Sequence, residues 1–226
     1  MKILFLGKRD DERAADALAL TQTLFNDVTA LWAKRGDRDP LPACDWSGDV
    51  MVSYLWPFVV KPGDLERAAT AAINFHPGPP DYPGIGCTNF ALYEENDTFG
   101  ITCHHMSPRV DTGAIIAVRR FPITADDSVW TLTQRCYAEI ATTFEAVMRD
   151  AARHGRFPES DEQWARRPFT RRELNALCRI TADMDAGEVR RRIRAVTFPG
   201  APGAFIDVHG FRFEHIAEIQ EETVRG

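Results

Sequence analysis

The sequence predicts an α/β fold, and three patterns carry that prediction. A short apolar run closed by glycine, KILFLG at 2–7, reads as a buried first strand. It feeds a stretch of helical spacing, with Ala14, Leu18, Thr21 and Leu24 on one face. Further apolar runs then alternate with helical stretches and turn-rich loops, the order in which an α/β domain is built.

The elements follow in order. Asp10 or Asp11 is positioned to cap the first helix, which runs to about Phe25. DVTALWA at 27–33 is a second strand, and the charged, proline-containing stretch 34–48 is a loop. VMVSYLW at 50–56 is a third strand, ended by Pro57, Pro62 and Gly63. DLERAAT at 64–70 reads as a short helix and AAINFH at 71–76 as a fourth strand. PGPPDYPGIG at 77–86 is a shaped loop, since its prolines fix φ and remove donors. CTNFALYEEN at 87–96 is helical, and FGITCHHM and GAIIAVRRFPI are strands flanking the SPRVDT loop. Residues 128–154 form a long amphipathic helix, with Val129, Leu132, Cys136, Ile140, Phe144 and Val147 near one face. Beyond Gly155 prolines punctuate a basic helix, Met184 to Val196, and a hairpin at 203–216 turning at His209-Gly210. These changes put a domain boundary near 157, with a C-terminal extension over 158–226.

Bulk properties narrow the function. At 226 residues and 44% hydrophobic content the chain can bury a sizeable core. A net charge of -6 argues against a nucleic-acid partner, which needs clustered Lys and Arg. The run Arg190-Arg191-Arg192 with Arg194 reads instead as a solvated helix near Asp183, Asp185 and Glu188. Cys44, Cys87, Cys103, Cys136 and Cys178 are scattered without a C-x-x-C pair, so reduced thiols are expected rather than disulfides or a zinc site. The apolar runs are too short for a membrane span or a signal peptide, which makes the cytoplasm the expected location.

The chemistry concentrates at Asn74 and His76, two residues apart at the end of the fourth strand. Period two puts both on one side of the sheet and Phe75 on the other. Ligands of open α/β sheets sit at the carboxyl ends of strands. Asp111, in the turn between two strands, can approach the imidazole. A lone strand-end histidine is more often structural, and Asp-Thr-Gly is a common turn. His104 and His105, adjacent in a strand, point opposite ways and do not converge with His76 as metal ligands would.

The whole arrangement is more specific. SYLWPFVVKPGDLE, INFHPGPPDYPGIGCTNFALYE and FGITCHHMSPRVDTGAII resemble, in order and spacing, the folate-dependent formyltransferase family. That family includes methionyl-tRNA, glycinamide ribonucleotide and sugar-nucleotide formyltransferases. The resemblance is strong over roughly a third of the chain, and the first strand fits the same Rossmann-like domain more loosely. It implies Asn74, His76 and Asp111 as the catalytic residues and 10-formyltetrahydrofolate as co-substrate, without a metal. Asn74 is then a donor to the developing oxyanion, His76 a proton-transfer group and Asp111 its partner. It puts Pro57, Phe58, Val59, Val60, His105, Thr112 and Gly113 on the folate side. Lys8, Arg9, Gly78, Tyr82, Asn89 and Tyr93 are the candidates for the acceptor side.

One departure shapes the substrate expectation. Gly78-Pro79-Pro80-Asp81 stands where the commonest family motif has Ser-Leu-Leu-Pro, and Gly84 comes early. This loop resembles the sugar-nucleotide branch. The expected activity is N-formylation of a dTDP- or GDP-linked 4-amino-4,6-dideoxyhexose, whose product would enter a glycan such as lipopolysaccharide O-antigen. Methionyl-tRNA formylation, formyltetrahydrofolate hydrolysis and a non-catalytic folate or nucleotide-sugar binding module are the rivals. The resemblance also favours a homodimer, and the C-terminal hairpin at 203–216 either covers the partner or packs back on the domain.

Overall fold

The computed structural model of the protein describes residues 1–216, so the end of the expected C-terminal extension, 217–226, lies outside the described residues. Strands β1 (Lys2–Lys8), β2 (Asp27–Ala33), β3 (Gly48–Tyr54), β4 (Ala68–His76), β5 (Thr98–His105) and β6 (Ile115–Pro122) form one sheet in the order β2-β1-β3-β4-β5-β6. The first four are parallel, and β5 and β6 join antiparallel.

Helix α1 (Glu12–Leu24) begins where Asp11 accepts a hydrogen bond from the Arg13 backbone N–H. Helix α4 (Val129–His154) starts with a reciprocal Ser128–Thr131 capping box and stops at Gly155, whose φ of 70° is the left-handed conformation glycine supplies most easily. Ile3, Phe5, Val50, Val52, Ile73 and Phe75 share one hydrophobic core with Leu132, Ile140 and Phe144 of α4. Phe144 lies 5.2 Å from the Phe75 ring and 5.0 Å from that of Tyr54. The alternate residues Leu4, Leu6 and Met51 pack with Leu41, Trp46, Trp56 and Val60, so loops rather than long helices cover the other face.

Three local expectations change. The helix at 64–70 shrinks to α2 (Pro62–Leu65), because Ala68 already pairs with Gly48 of β3 and the chain is committed to β4. Strand β3 stops at Tyr54: Leu55 takes φ 56°, which turns Trp56 out of the ladder. Between α3 (Cys87–Tyr93) and the basic helix lies an unexpected helix, α5 (Arg171–Cys178), fixed by a Thr170–Glu173 capping box. The basic helix is α6 (Ala186–Val196). The hairpin follows as β7 (Phe205–Val208) and β8 (Phe211–Glu214), with positive φ at both His209 and Gly210, as a tight two-residue turn demands.

Residues beyond 157 share the main core. Leu177, Ala195, Val196 and Ala204 are buried in the same cluster as the sheet and α4. The strand segment at Gly84 bridges to Phe169, with Ile85 N–H donating to Phe169 O (3.1 Å) and Phe169 N–H to Pro83 O (2.9 Å).

Candidate active site

Three neighbouring strands bring one polar row together. Register pairs Ser53 of β3 with Asn74 of β4, and Asn74 with His104 of β5, all on the loop-covered face. Ser53 Oγ–H donates to Asn74 Oδ1 (2.8 Å), and Asn74 Nδ2 lies 3.3 Å from His104 Nε2. His76 follows on the same face, only 5% exposed.

Asp111 arrives from the β5–β6 turn with φ 47°, a conformation uncommon outside glycine that aspartate tolerates better than most. Its carboxylate sits between two imidazoles, with Oδ2 3.2 Å from His76 Nδ1 and Oδ1 3.3 Å from His104 Nε2. The Gly84 backbone N–H donates to Oδ2 (2.8 Å). Burial opposes charge on this carboxyl, but His76, His104 and the Gly84 N–H together outweigh it and hold it at about 2.

The remaining ring nitrogens face carbonyls, which only accept. His76 Nε2–H therefore donates to Tyr82 O (2.9 Å) and His104 Nδ1–H to His105 O (2.8 Å). Any further proton on these rings lies on the side of Asp111. In this closed network the second amide hydrogen of Asn74 is the donor left for a ligand. Behind His76, Gly78 leaves no room for a side chain, since a Cβ there would come within 2.6 Å of His76 Nε2.

These groups floor a cleft of about 480 Å³. Pro57, Phe58, Val59 and Val60 line it together with Trp56, Met106 and Val110. Arg35, Arg109 and Arg171 also line it, and among the described residues no carboxylate pairs with any of the three.

Other expected site residues lie elsewhere. His105 faces the opposite side of the sheet from His104, and its Nε2–H donates to Phe157 O (3.1 Å). Alternation along β5 makes His104, not His105, the cleft histidine. Thr112 shapes the turn by bonding Ser107 and Arg109 O, and Gly113 is required where a Cβ would lie 1.9 Å from His105 O. Both border a separate shallow cleft with Trp164. Lys8 is neutralised by Asp11 at 3.0 Å and Arg9 by Asp37, in a neighbourhood of acidic residues. Tyr82 is 1% exposed, with its hydroxyl donating to Glu94 (2.8 Å); burial, and then Glu94, push its phenol up to about 12. Asn89 donates to Ala195 O (2.7 Å) and Tyr93 to Glu188 (2.8 Å), so both tie α3 to α6.

Two cleft features had weak sequence signals. His104 needed the β4–β5 register to be told from its neighbour. Arg171 needed α5, which the Thr170-x-x-Glu173 pattern marks. No group of three or more potential metal ligands occurs among the described residues, and no helix among them is long and apolar enough to cross a membrane.

Comparison with known proteins agrees with this architecture. A sugar N-formyltransferase from Shewanella superposes with TM-score 0.78 at 15% identity, covering 95% of this chain and 96% of that one. A 4-N formyltransferase from Francisella tularensis gives TM-score 0.74 at 17% identity, over 96% and 97% of the two chains. An N-formyltransferase from Helicobacter canadensis, in complex with folinic acid and dTDP-3-aminofucose, gives 0.69 at 18% identity over 93% and 85%. At such identities the likeness is one of fold. Residues 45–147, which carry β3 through most of α4 and every member of the Asn74–His76–His104–Asp111 cluster, match the formyl transferase family profile. Over that span the chain is similar to the formyl transferase family.

Proposed function

We propose that the protein transfers the formyl group of 10-formyltetrahydrofolate to the amine of a nucleotide-linked amino sugar. The observation that carries this reading is the convergence of Asn74, His76 and Asp111 on the floor of one cleft with an apolar wall and a cationic rim. The wall of Trp56, Phe58 and Val60 suits the face of a flat heterocycle. The buried Trp56 indole N–H has no partner among the described residues, which leaves a donor for a heteroatom edge. The folate supplies an electrophilic formyl carbon on N10.

A C–N bond forms between the acceptor nitrogen and that carbon, and the bond to N10 breaks. One proton leaves the amine and one reaches N10. Asn74 Nδ2–H donates to the formyl oxygen as it gains charge. The proton passes through the Asp111–His76 pair, on the His76 Nδ1 side that the Tyr82 bond leaves open, with His104 sharing the carboxylate. Arg109 and Arg171 hold the diphosphate of a nucleotide sugar, which guanidiniums suit by geometry and charge. A 4-amino-4,6-dideoxyhexose on dTDP or GDP is the favoured acceptor, because the Gly78-Pro79-Pro80-Asp81 loop resembles that branch. The exposed Phe211 (70%) and Phe213 (60%) of the hairpin are the surface a second copy would cover.

The test is an acceptor screen with 10-formyltetrahydrofolate, following folate release and acceptor mass together. A formyl mass gain on a nucleotide-linked amino sugar supports the reading. Release without an acceptor identifies a hydrolase instead, and formylation of charged initiator tRNA moves the chain to the tRNA branch.

A further inference from the structure

One side chain of the segment beyond 157 lies against the two imidazoles of the site. Trp164 lies edge-to-face against both imidazoles, with ring centroids 6.0 Å from His76 at 68° and 5.2 Å from His104 at 83°. Its own position is fixed from three sides. The indole N–H donates to Gly113 O (2.8 Å), two residues after Asp111. The next residue, Ala165, donates its N–H to Pro80 O (3.1 Å), and Ser160 N–H donates to Ile115 O (2.7 Å). The indole borders the shallow cleft outside the site rather than the substrate cleft. It therefore touches the catalytic rings from behind, without reaching a ligand.

We propose that Trp164 is a positioning residue: it holds His76 and His104 in the orientation that keeps both facing the Asp111 carboxylate. The inference rests on the formyl-transfer reading for its kinetic consequence, but the ring geometry stands by itself. Each imidazole is held on one nitrogen by a carbonyl, His76 by Tyr82 and His104 by His105. The contacts on the Asp111 side are longer, 3.2 and 3.3 Å, and the broad χ2 wells of histidine let a ring tilt away from them without leaving its carbonyl. An aromatic plane set against both rings removes that freedom. The carboxylate that both rings face is itself only 6% exposed. Displacing reacting groups by about 1 Å costs on the order of 100-fold in rate.

The experiment compares full-length wild type, Trp164→Ala and Trp164→Phe. With 10-formyltetrahydrofolate and the acceptor found by the screen, Trp164→Ala should lose about 10- to 100-fold in kcat. KM for each substrate should stay within about 3-fold, since the indole lines no part of the cleft. Trp164→Phe, which keeps an aromatic face, should recover most of kcat. NMR of histidine-labelled protein provides a readout independent of turnover. Removing the indole should change the imidazole nitrogen-15 shifts of His76 and His104, which report tautomer and hydrogen bonding far more than ring current, while those of His154 and His209 stay in place. Unchanged kcat in a folded Trp164→Ala protein, a loss equal in both aromatic and alanine variants, or unmoved His76 and His104 resonances overturns the proposal. Wild-type inactivity with every acceptor counts against the function, whereas the resonance shifts still decide the positioning role.

Discussion

The strand-borne floor of the cleft and the segment 158–214 that packs beside it are held by different physics. The floor is built from sheet register: Ser53, Asn74 and His104 face one another because β3, β4 and β5 pair at those positions. Its polar groups bond one another, leaving one amide hydrogen of Asn74 over. The later segment is held by aromatic stacking and half-exposed ion pairs, such as Phe169 on Phe90 at 3.9 Å and Arg166 with Glu94 at 2.8 Å. The difference separates chemistry from support. Register fixes the polar groups of the floor, while the second region sets what surrounds them.

Substitutions on either side sharpen this contrast. The largest effect belongs to the floor: His76→Ala or Asp111→Ala should lower kcat about 100-fold or more with little change in the melting midpoint. Asp111 also has a pH signature. Its carboxyl lies below the ordinary value of 3.8, so the stability it contributes is present above that value and is lost as pH falls toward about 2. Acid titration of the wild type should therefore show a loss over that window that Asp111→Asn lacks.

In the second region, Phe169→Ala should cost about 2–3 kcal/mol of folding free energy, read as a lower denaturant midpoint. A loss confined to turnover would show that the region does more than support. Arg109→Gln and Arg171→Gln should each raise KM for an anionic substrate roughly 10-fold with kcat nearly unchanged. Whether the folate or the acceptor KM moves tells which substrate meets the rim. The smallest effect is expected at Asn89→Ala, about 1 kcal/mol of stability from losing the bond to Ala195 O, with both KM values unchanged. A large rise in acceptor KM there would return Asn89 to the binding site.

Much of the fold was legible because it rests on local rules. Two-residue periodicity put Asn74 and His76 on one face, and helical spacing marked α4. What failed depends on distant contacts. His104 and His105 are interchangeable by composition, and only pairing with Asn74 decides between them. Tyr82, an aromatic in a proline-rich loop, looked available for a ligand, but the loop folds it under Phe99 and Phe169. Lys8 and Arg9 lost their role to Asp11 and Asp37, one of which lies beyond β2. Trp164 had no local signal at all, because its meaning comes from rings some sixty to ninety positions earlier.

The donor that Gly84 offers to Asp111 is main chain, and this has a consequence for how such a protein can change. A Cβ at Gly84 would come within 2.4 Å of Phe169 O, so the close approach depends on having no side chain there. The rim around it is different in kind. Arg35, Arg109, Arg171 and Ile85 are side chains exposed at the mouth. They can be exchanged one at a time without touching the anchor of the carboxylate. A lineage carrying this cleft can therefore vary its mouth while inheriting an unaltered polar floor.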